Sequence, residues 1–179
     1  MKESIRIKDK DFDLFIPNKK ITEAIQRIAK NINEELDGKN PLFICVLNGS
    51  FMFAADLMKY VNIPCEITFV RMASYRGTTS TGMLKEIYGL EEEIQGRTVV
   101  IVEDIVDTGN TISLVLDQLY CEEPEEVKVA TLLFKPNALK QEVKLDYVAL
   151  EIPNDFIVGY GLDYDGYGRN LVDIYKIKS

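Results

Sequence analysis

The residues best suited to chemistry lie close together in one short stretch of the chain. Four apolar residues lead into an acidic pair, a third acid follows, and a hydroxyl-rich turn then opens an amphipathic segment. The candidates are Glu103, Asp104, Asp107, Thr108, Gly109, Asn110 and Thr111. The free N–H groups and the dipole of a helix start suit a phosphate, and the acids suit ribose hydroxyls or Mg²⁺. The stretch therefore predicts a sugar-phosphate site and an enzyme.

A purely structural explanation of the same residues is narrower. Asp107 or Thr108 could serve only as the N-cap of the following helix, with the acids in a solvated loop. A cap accounts for one residue, whereas an acidic pair that closes a wholly apolar strand needs a second reason. We therefore favour a ligand site.

Composition excludes several other kinds of site. The chain has 179 residues, of which 46% are apolar and 28% are charged, as is typical of one globular domain. Histidine is absent, so acid–base work falls to carboxylates, Lys, Tyr, Cys or a metal. The sequence therefore argues against Ser-His hydrolases, Cys-His hydrolases and His-ligated zinc enzymes. Cys45, Cys65 and Cys121 show no spacing typical of a metal site or a disulfide framework.

The net charge of −8 disfavours nucleic-acid binding through phosphate neutralisation. It does not disfavour a small anionic substrate, because backbone amides, a few basic residues and Mg²⁺ can hold one locally. We find no apolar run long enough to span a membrane and no N-terminal signal peptide. We expect a cytoplasmic protein with small-molecule substrates that binds neither nucleic acid nor membranes.

Helix and strand patterns alternate along the chain, which predicts an α/β fold with a parallel sheet covered by helices on both faces. Apolar periodicity predicts helices over residues 21–36, 51–61 and 110–120. Strands are predicted over residues 41–47, 65–75, 83–90, 97–103, 127–134, 147–152 and 171–177. Ligands bind beyond the carboxyl ends of parallel strands. The polar residues at those ends are 48–50, 103–111 and Lys135.

Residues 98–111 resemble the signature of the type I phosphoribosyltransferases, which bind 5-phosphoribosyl 1-pyrophosphate. That signature is an apolar strand, an acidic pair, two apolar residues and Asp-Thr-Gly-x-Thr. Segments 47–50, 74–82, 133–135 and 156–169 align in order and narrow the resemblance to the hypoxanthine-guanine phosphoribosyltransferases. The resemblance covers essentially the whole chain. It implies one domain, residues 1–179, with the parallel-sheet type I fold and a small hood built from about residues 1–16 and 150–179.

The resemblance assigns the donor-binding roles to the stretch described first. Residues 107–111 would cradle the 5′-phosphate. Glu103 and Asp104 would bind the ribose 2′- and 3′-hydroxyls and help to place Mg²⁺. Asp107 would also be the general base near purine N7, and the absence of histidine makes this assignment economical.

The pyrophosphate would be held from two other parts of the chain. Leu47, Asn48 and Gly49 would offer backbone amides, and the resemblance implies that the peptide bond between Leu47 and Asn48 is cis. Asp163 would coordinate Mg²⁺, and the forked guanidinium of Arg169 would bind the anion. Asn48 stands where many relatives carry Lys, and Asn110 stands where some do. Both changes lower the local positive charge, and their effect on phosphate affinity is open.

The acceptor base would be recognised by Lys135, Phe156, Ile157 and Asp163. Lys135 would donate to the purine 6-oxo group and reject adenine, whose 6-amino group is itself a donor. Phe156 would stack on the base, and the backbone near Ile157 and Asp163 would read its edge. Taken alone, a lysine after a strand is usually a boundary charge, and a phenylalanine beside β-branched residues usually belongs to the core.

Ser74, Tyr75 and the loop of residues 76–82 resemble the mobile lid of the family, which excludes water from the reacting centre. As a bare sequence feature the loop could be only a hairpin tip.

The resemblance implies Mg²⁺-dependent transfer of a phosphoribosyl group to N9 of hypoxanthine or guanine, in a homodimer or homotetramer. Two alternatives stay open: a preference for another purine, chiefly xanthine, and a non-catalytic regulator that binds phosphoribosyl pyrophosphate, nucleotides or RNA. Lys135, Asp163 and Arg169 are all present, which favours the enzyme. The sequence does not rank hypoxanthine against guanine.

Overall fold

The computed structural model of the chain describes residues 3–75 and 84–178. In chain order the elements are β1 (Ser4–Ile7), β2 (Lys10–Ile16), α1 (Asn18–Glu35), β3 (Leu42–Leu47), α2 (Phe51–Met58), β4 (Glu66–Tyr75), β5 (Leu84–Tyr88), β6 (Thr98–Val106), α3 (Asn110–Tyr120), β7 (Glu126–Phe134), a 3₁₀ turn (Pro136–Ala138), β8 (Tyr147–Glu151), β9 (Ile157–Val158) and β10 (Ile174–Ile177). Within the described ranges, no helix is both long and apolar enough to cross a membrane.

The central sheet has the strand order β5-β4-β3-β6-β7-β8. Every neighbouring pair is parallel except β4 and β5, which run antiparallel. The predicted α/β class with a mostly parallel sheet is confirmed. After β3, the next strand β4 lies on one side of β3, whereas the later strand β6 lies on its other side. The loops after β3 and β6 therefore diverge and open a crevice, which is where ligands bind in sheets of this kind.

Helices cover both faces of the sheet, because successive side chains of a strand point to opposite sides. Phe43 and Cys45 of β3 pack in the cluster that contains the apolar faces of α1 and α2. Leu42 and Ile44 pack in the cluster that contains α3. The apolar stripe of α1 is wholly buried and consists of Ile21, Ala24, Ile25, Ile28, Ala29 and Ile32. The continuous apolar strands of the sequence are explained by this burial on two sides.

A second, antiparallel sheet joins the two ends of the chain in the order β1-β2-β10-β9. The strands β1 and β2 were not predicted; they pair with each other, and the second partner of β2 is β10, which comes from the far end of the sequence. β10 begins at Ile174, later than the predicted start at 171. The residues before it serve another purpose, since the Asp173 carboxylate accepts a hydrogen bond of 2.7 Å from the backbone N–H of Asn18 at the start of α1.

Three other boundaries differ from the sequence prediction by three residues. β6 continues to Val106, beyond the predicted end at 103, because its pairing with β7 extends to Phe134. The acidic pair therefore lies inside a paired strand. α1 begins at Asn18, directly after Pro17, and α2 ends at Met58, before the predicted residue 61.

Candidate active site

The acidic pair in β6 is held in a place unfavourable to charge. Glu103 is 8% exposed, and its Oε2 atom has no hydrogen-bond partner among the described residues. Burial and the adjacent Asp104 carboxylate raise the pKa of Glu103 well above its ordinary value. Burial also raises the pKa of Asp104, although the N–H of Ile105 donates to its Oδ1 at 2.9 Å. Two such carboxylates need a proton, a cation or hydroxyl donors from a ligand.

The backbone conformation of the turn after β6 is fixed by its glycine and by hydrogen bonds from a neighbouring loop. Gly109 has φ +82° at the N-cap of α3, a left-handed conformation that favours glycine. The Thr108 carbonyl accepts hydrogen bonds from the N–H groups of Lys140 (2.9 Å) and Gln141 (3.2 Å). A cavity of about 240 Å³ is lined by the predicted ribose and phosphate residues, which are Glu103, Asp104, Asp107, Thr108, Gly109 and Thr111. Asn110 is exposed and does not line this cavity.

Lys135 and Asp107 meet at the ends of the neighbouring strands β7 and β6. The Lys135 side chain is 9% exposed, and its Nζ atom donates to Asp107 Oδ2 at 3.3 Å. The backbone N–H of Lys135 donates to the Val106 carbonyl at 2.9 Å, which fixes the point where the side chain leaves the sheet. The Asp107 side chain is 44% exposed and remains open to a ligand. A buried ammonium therefore lies beside an accessible carboxylate.

The loop after β3 packs directly against the acidic pair. The peptide bond between Leu47 and Asn48 is cis, as the family resemblance implies. A Cβ atom at Gly49 would lie 1.5 Å from Asp104 Oδ2, so only glycine fits at this position. The Ser50 hydroxyl is buried and donates to the Val46 carbonyl at 2.6 Å. The backbone of this loop thus borders the same crevice as Asp104.

The glycine-containing tail lies over that loop. Gly161 has φ +97°, and a Cβ atom there would be 2.1 Å from the Gly49 carbonyl oxygen. Arg169 donates through Nη1 to the Gly161 carbonyl at 2.7 Å and pairs through Nη2 with Asp163 Oδ1 at 2.6 Å. The structure therefore brings the predicted pyrophosphate residues Gly49 and Arg169 to one place, together with Asp163.

Of the predicted purine residues, Ile157 belongs to the second sheet and Phe156 lies directly before it. Ile157 is buried in β9 and pairs with Lys176 of β10. Phe156 precedes β9 and is 47% exposed. Its ring lies 5.9 Å from the Tyr164 ring and 6.4 Å from the Phe12 ring, measured between centroids.

Among the described residues that contact this site, Gly161, Tyr164 and Phe12 are examples that were given no role from the sequence. Gly161 and Tyr164 lie in the glycine-containing tail, so the pattern of that tail was the sequence feature that could have pointed to them. Phe12 is one of several alternating apolar residues in β2 and carried no signal of its own. Of the predicted lid, Ser74 and Tyr75 form the backbone end of β4, and residues 76–82 lie outside the described residues.

The fit to Mg²⁺ can be judged from the donor atoms. Among residues 3–75 and 84–178, no three Asp, Glu, Cys or His side chains form a ready metal cluster. Asp163 is paired with Arg169, while Glu103 keeps an unpartnered buried oxygen. Mg²⁺ prefers oxygen donors and is usually held by one or two carboxylates together with waters and substrate phosphates. The acidic pair fits an ion of that kind that is shared with a phosphate substrate.

Comparisons with known proteins show the family to which the chain belongs. Residues 16–165 match the family described as the phosphoribosyl transferase domain. The chain is 39% identical over 166 residues to the hypoxanthine-guanine phosphoribosyltransferase of Streptococcus pneumoniae, an alignment that covers 92% of each chain.

Solved structures are similar as well. A hypoxanthine-guanine phosphoribosyltransferase from Bacillus anthracis aligns with TM-score 0.82 and 35% identity, over 93% of this chain and 97% of that one. A hypoxanthine phosphoribosyltransferase from Trypanosoma cruzi aligns with TM-score 0.83 and 35% identity, over 92% of this chain and 94% of that one.

Proposed function

The chain belongs to the phosphoribosyltransferase family, and we propose that it is an enzyme of purine salvage. It transfers the 5-phosphoribosyl group of 5-phosphoribosyl 1-pyrophosphate to N9 of hypoxanthine or guanine. The products are IMP or GMP and pyrophosphate. The observation that carries the choice of base is the pairing of Lys135 with Asp107 at 3.3 Å.

That pair matches one edge of a 6-oxopurine. Guanine presents O6 and N7 side by side on this edge, and hypoxanthine has the same two groups. The Lys135 ammonium donates to O6. In the tautomer of the free base that carries its proton at N7, the Asp107 carboxylate accepts that proton while the lone pair of N9 forms the bond to C1′. Adenine places an amino group at position 6, which leaves two donors facing each other and the buried lysine without an acceptor.

The donor substrate is bound by the crevice between β3 and β6. The turn of residues 107–111 holds the 5′-phosphate at the start of α3, and Glu103 and Asp104 accept hydrogen bonds from the ribose hydroxyls. Support for the second assignment comes from the buried Glu103 oxygen, which has no partner among the described residues. The backbone of residues 47–49 and the Arg169 guanidinium hold the pyrophosphate.

In the reaction, the bond between N9 and C1′ forms while the bond from C1′ to the pyrophosphate oxygen breaks, with inversion at C1′. The proton lost by the purine goes to Asp107. Arg169 neutralises negative charge on the departing pyrophosphate. Glu103, Asp104 and Asp163 would hold Mg²⁺, whose chemistry here is charge neutralisation of the phosphates. Ser74, Tyr75 and loop 76–82 act as the lid that excludes water.

Residues 1–179 work as one domain in this proposal, with the second sheet as a hood that carries Phe156 and Ile157. The protein acts in the cytoplasm as a homodimer or homotetramer, without nucleic acid or membrane as a partner. Analytical ultracentrifugation of the purified chain tests the oligomer, and a single monomeric species would contradict it.

Steady-state turnover tests the reaction. Pyrophosphate release is measured with phosphoribosyl pyrophosphate and Mg²⁺, using hypoxanthine, guanine, xanthine or adenine as acceptor. We expect turnover with hypoxanthine and guanine and none with adenine. Equal turnover with adenine would contradict the role of Lys135, and a dominant rate with xanthine would change the substrate. A gel-shift with RNA, in the absence of any turnover, would favour the non-catalytic regulator instead.

A further inference from the structure

The ring of Phe156 is braced by two other aromatic rings. The Tyr164 ring meets it edge-on, with 5.9 Å between centroids and 86° between the ring planes. The Phe12 ring lies 6.4 Å from Phe156 and 5.9 Å from Tyr164. Phe12 is fully buried, whereas Phe156 is 47% exposed. A core residue and a loop residue therefore limit the orientations of the exposed ring.

Tyr164 is itself anchored at its far end. Its hydroxyl donates to Asp9 Oδ1 at 2.8 Å, and Asp9 lies in the turn between β1 and β2. The preceding residue of that turn, Lys8, pairs with Asp165, and its Nζ lies 4.9 Å from the centre of the Tyr167 ring. The turn at the start of the chain is thus joined by neighbouring contacts to the segment that follows Asp163.

We infer that Tyr164 and Asp9 are positioning residues for the purine. Asp9 holds the Tyr164 hydroxyl, and the Tyr164 ring holds Phe156 in the orientation that stacks on the base. The inference deepens the proposed function and rests on it, because the orientation of Phe156 affects catalysis only if a purine stacks there. An exposed phenylalanine that is fixed beforehand loses less side-chain entropy when the base binds.

The effect belongs to the acceptor side of the reaction. Replacing Tyr164→Leu removes the edge-on ring, and we expect KM for hypoxanthine to rise about twofold to tenfold, the factor that corresponds to one edge-to-face pair. KM for phosphoribosyl pyrophosphate and kcat change much less. Tyr164→Phe keeps the ring and loses only the hydrogen bond, so KM for hypoxanthine rises less than in Tyr164→Leu. Asp9→Ala gives the same small rise, and combining it with Tyr164→Phe adds nothing further.

Tyr167→Leu is the matched control. Tyr167 lies in the same segment and is 60% exposed, and its ring contacts the Lys8 ammonium. We expect its KM for hypoxanthine to equal that of the wild type. Thermal melting of every variant shows that the fold is retained. An equal rise in Tyr167→Leu would show that any change in this segment has the same effect, and it would overturn the inference.

Phe156→Leu separates the inference from the proposed function. In that background Tyr164→Leu should have no further effect on KM for hypoxanthine, since the ring that it positions is gone. If Phe156→Leu raises KM and Tyr164→Leu alone does not, the positioning role is wrong and the proposed function stands. If the wild type shows no turnover with hypoxanthine, or if Phe156→Leu leaves KM unchanged, the assigned role of Phe156 fails and the inference fails with it.

Discussion

The pairing of Asp107 with Lys135 explains how two charged residues can be stable in a partly buried site when no substrate is bound. The ammonium is almost fully enclosed, so it requires a negative partner before the base arrives. In the proposed function, a 6-oxopurine would replace that partner with a carbonyl oxygen and would give the carboxylate a proton to accept. We therefore expect selectivity for the 6-oxo group to follow from the need to keep a buried lysine paired.

Replacing Asp107→Asn tests the general base. The amide keeps the size of the side chain but cannot accept the purine proton, so kcat should fall about 10²-fold to 10⁴-fold. Steady-state kinetics measures the loss, and circular dichroism melting shows whether the fold is intact. Asp117→Asn, at an exposed position of α3, is the control and should leave kcat unchanged. A wild-type kcat in Asp107→Asn would remove Asp107 from its assigned role.

Replacing Lys135→Met tests the choice of base. Methionine fills a similar volume without a donor, so KM for hypoxanthine and guanine should rise about tenfold to a hundredfold, and the preference over adenine should be lost. Competition kinetics with the three bases measures both effects. Lys30→Met removes an exposed lysine of α1 that pairs with Glu34 at 3.8 Å and serves as the control. Retained discrimination against adenine in Lys135→Met would assign the recognition of the 6-oxo group to another residue.

At the scale of elements, the site depends on close contact between backbones that are far apart in the chain. The loop after β3 touches Asp104 of β6 on one side and Gly161 of the tail on the other. Glycine is needed at both contacts because a side chain would occupy the space of the neighbouring group. The backbone amides of the loop are thereby held between the acidic pair and the tail that carries Arg169.

Gly161→Ala tests this packing, with Gly166→Ala as a matched control. Both residues have positive φ, +97° and +84°, so both substitutions carry the cost of a left-handed alanine, about 1 kcal/mol. A Cβ atom at Gly161 would also be 2.1 Å from the Gly49 carbonyl oxygen, whereas nothing lies within 4 Å of one at Gly166. We expect Gly161→Ala to lower the melting temperature further and to raise KM for phosphoribosyl pyrophosphate. Identical behaviour of the two variants would show that the loop adjusts freely.

At the scale of the whole molecule, the two ends of the strands in the central sheet carry different groups of residues. The carboxyl ends of the strands carry the site, and the amino end of β7 carries a group of ion pairs around Lys128. Lys128 is 8% exposed, and its Nζ lies 2.7 Å from Glu35, 3.0 Å from Glu126 and 3.8 Å from Asp146. Tyr147 donates its hydroxyl to Glu35 at 2.7 Å. These contacts join α1, β7 and β8 far from the chemistry.

Lys128→Met should destabilise the fold without changing the reaction. Removing a buried cation leaves its carboxylates facing each other, which costs about 2–4 kcal/mol after allowance for the partial exposure of Glu35. Urea unfolding at neutral pH measures the loss, while kcat stays at the wild-type value. Lys30→Met, at a solvent-exposed pair, should cost less than about 0.5 kcal/mol. Equal losses of unfolding free energy in the two variants would mean that the buried ion pairs of Lys128 stabilise the fold no more than an exposed pair does.

The same variant should also change how stability depends on pH. The hydrogen bond from Lys128 lowers the pKa of Glu35, and contacts with Lys39 and Lys128 lower the pKa of Glu126, each from an ordinary value of 4.5. Because the folded pKa is depressed, this stabilisation is present above about pH 4.5 and is lost as the pH falls through the folded values. The difference in melting temperature between wild type and Lys128→Met should therefore shrink below pH 4.5. A constant difference down to pH 3 would contradict the ionic origin.

Much of the fold, and the choice of residues for the candidate site, could be predicted because the relevant patterns are local. Each of these patterns is formed by residues that are near one another in the sequence. Examples are the continuous apolar strands, the apolar stripe of α1 and the turn at Gly109. The missed strands β1 and β2 are different, since β2 is completed by β10 from the far end of the chain, and this pairing cannot be read from the residues of β1 and β2. The role of Phe12 was missed for the same reason.

What the sequence by itself determined is the kind of chemistry: an acidic pair, a turn of the kind that suits a phosphate and, through family resemblance, the donor and the 6-oxopurine acceptor. Only the tertiary structure decided how these parts meet: Lys135 beside Asp107, Gly161 on Gly49, and Tyr164 between Asp9 and Phe156. The physical reason is the separation in sequence between the residues involved. Turn chemistry and strand periodicity are set by neighbouring residues, whereas these contacts depend on how the two sheets and their loops pack in space.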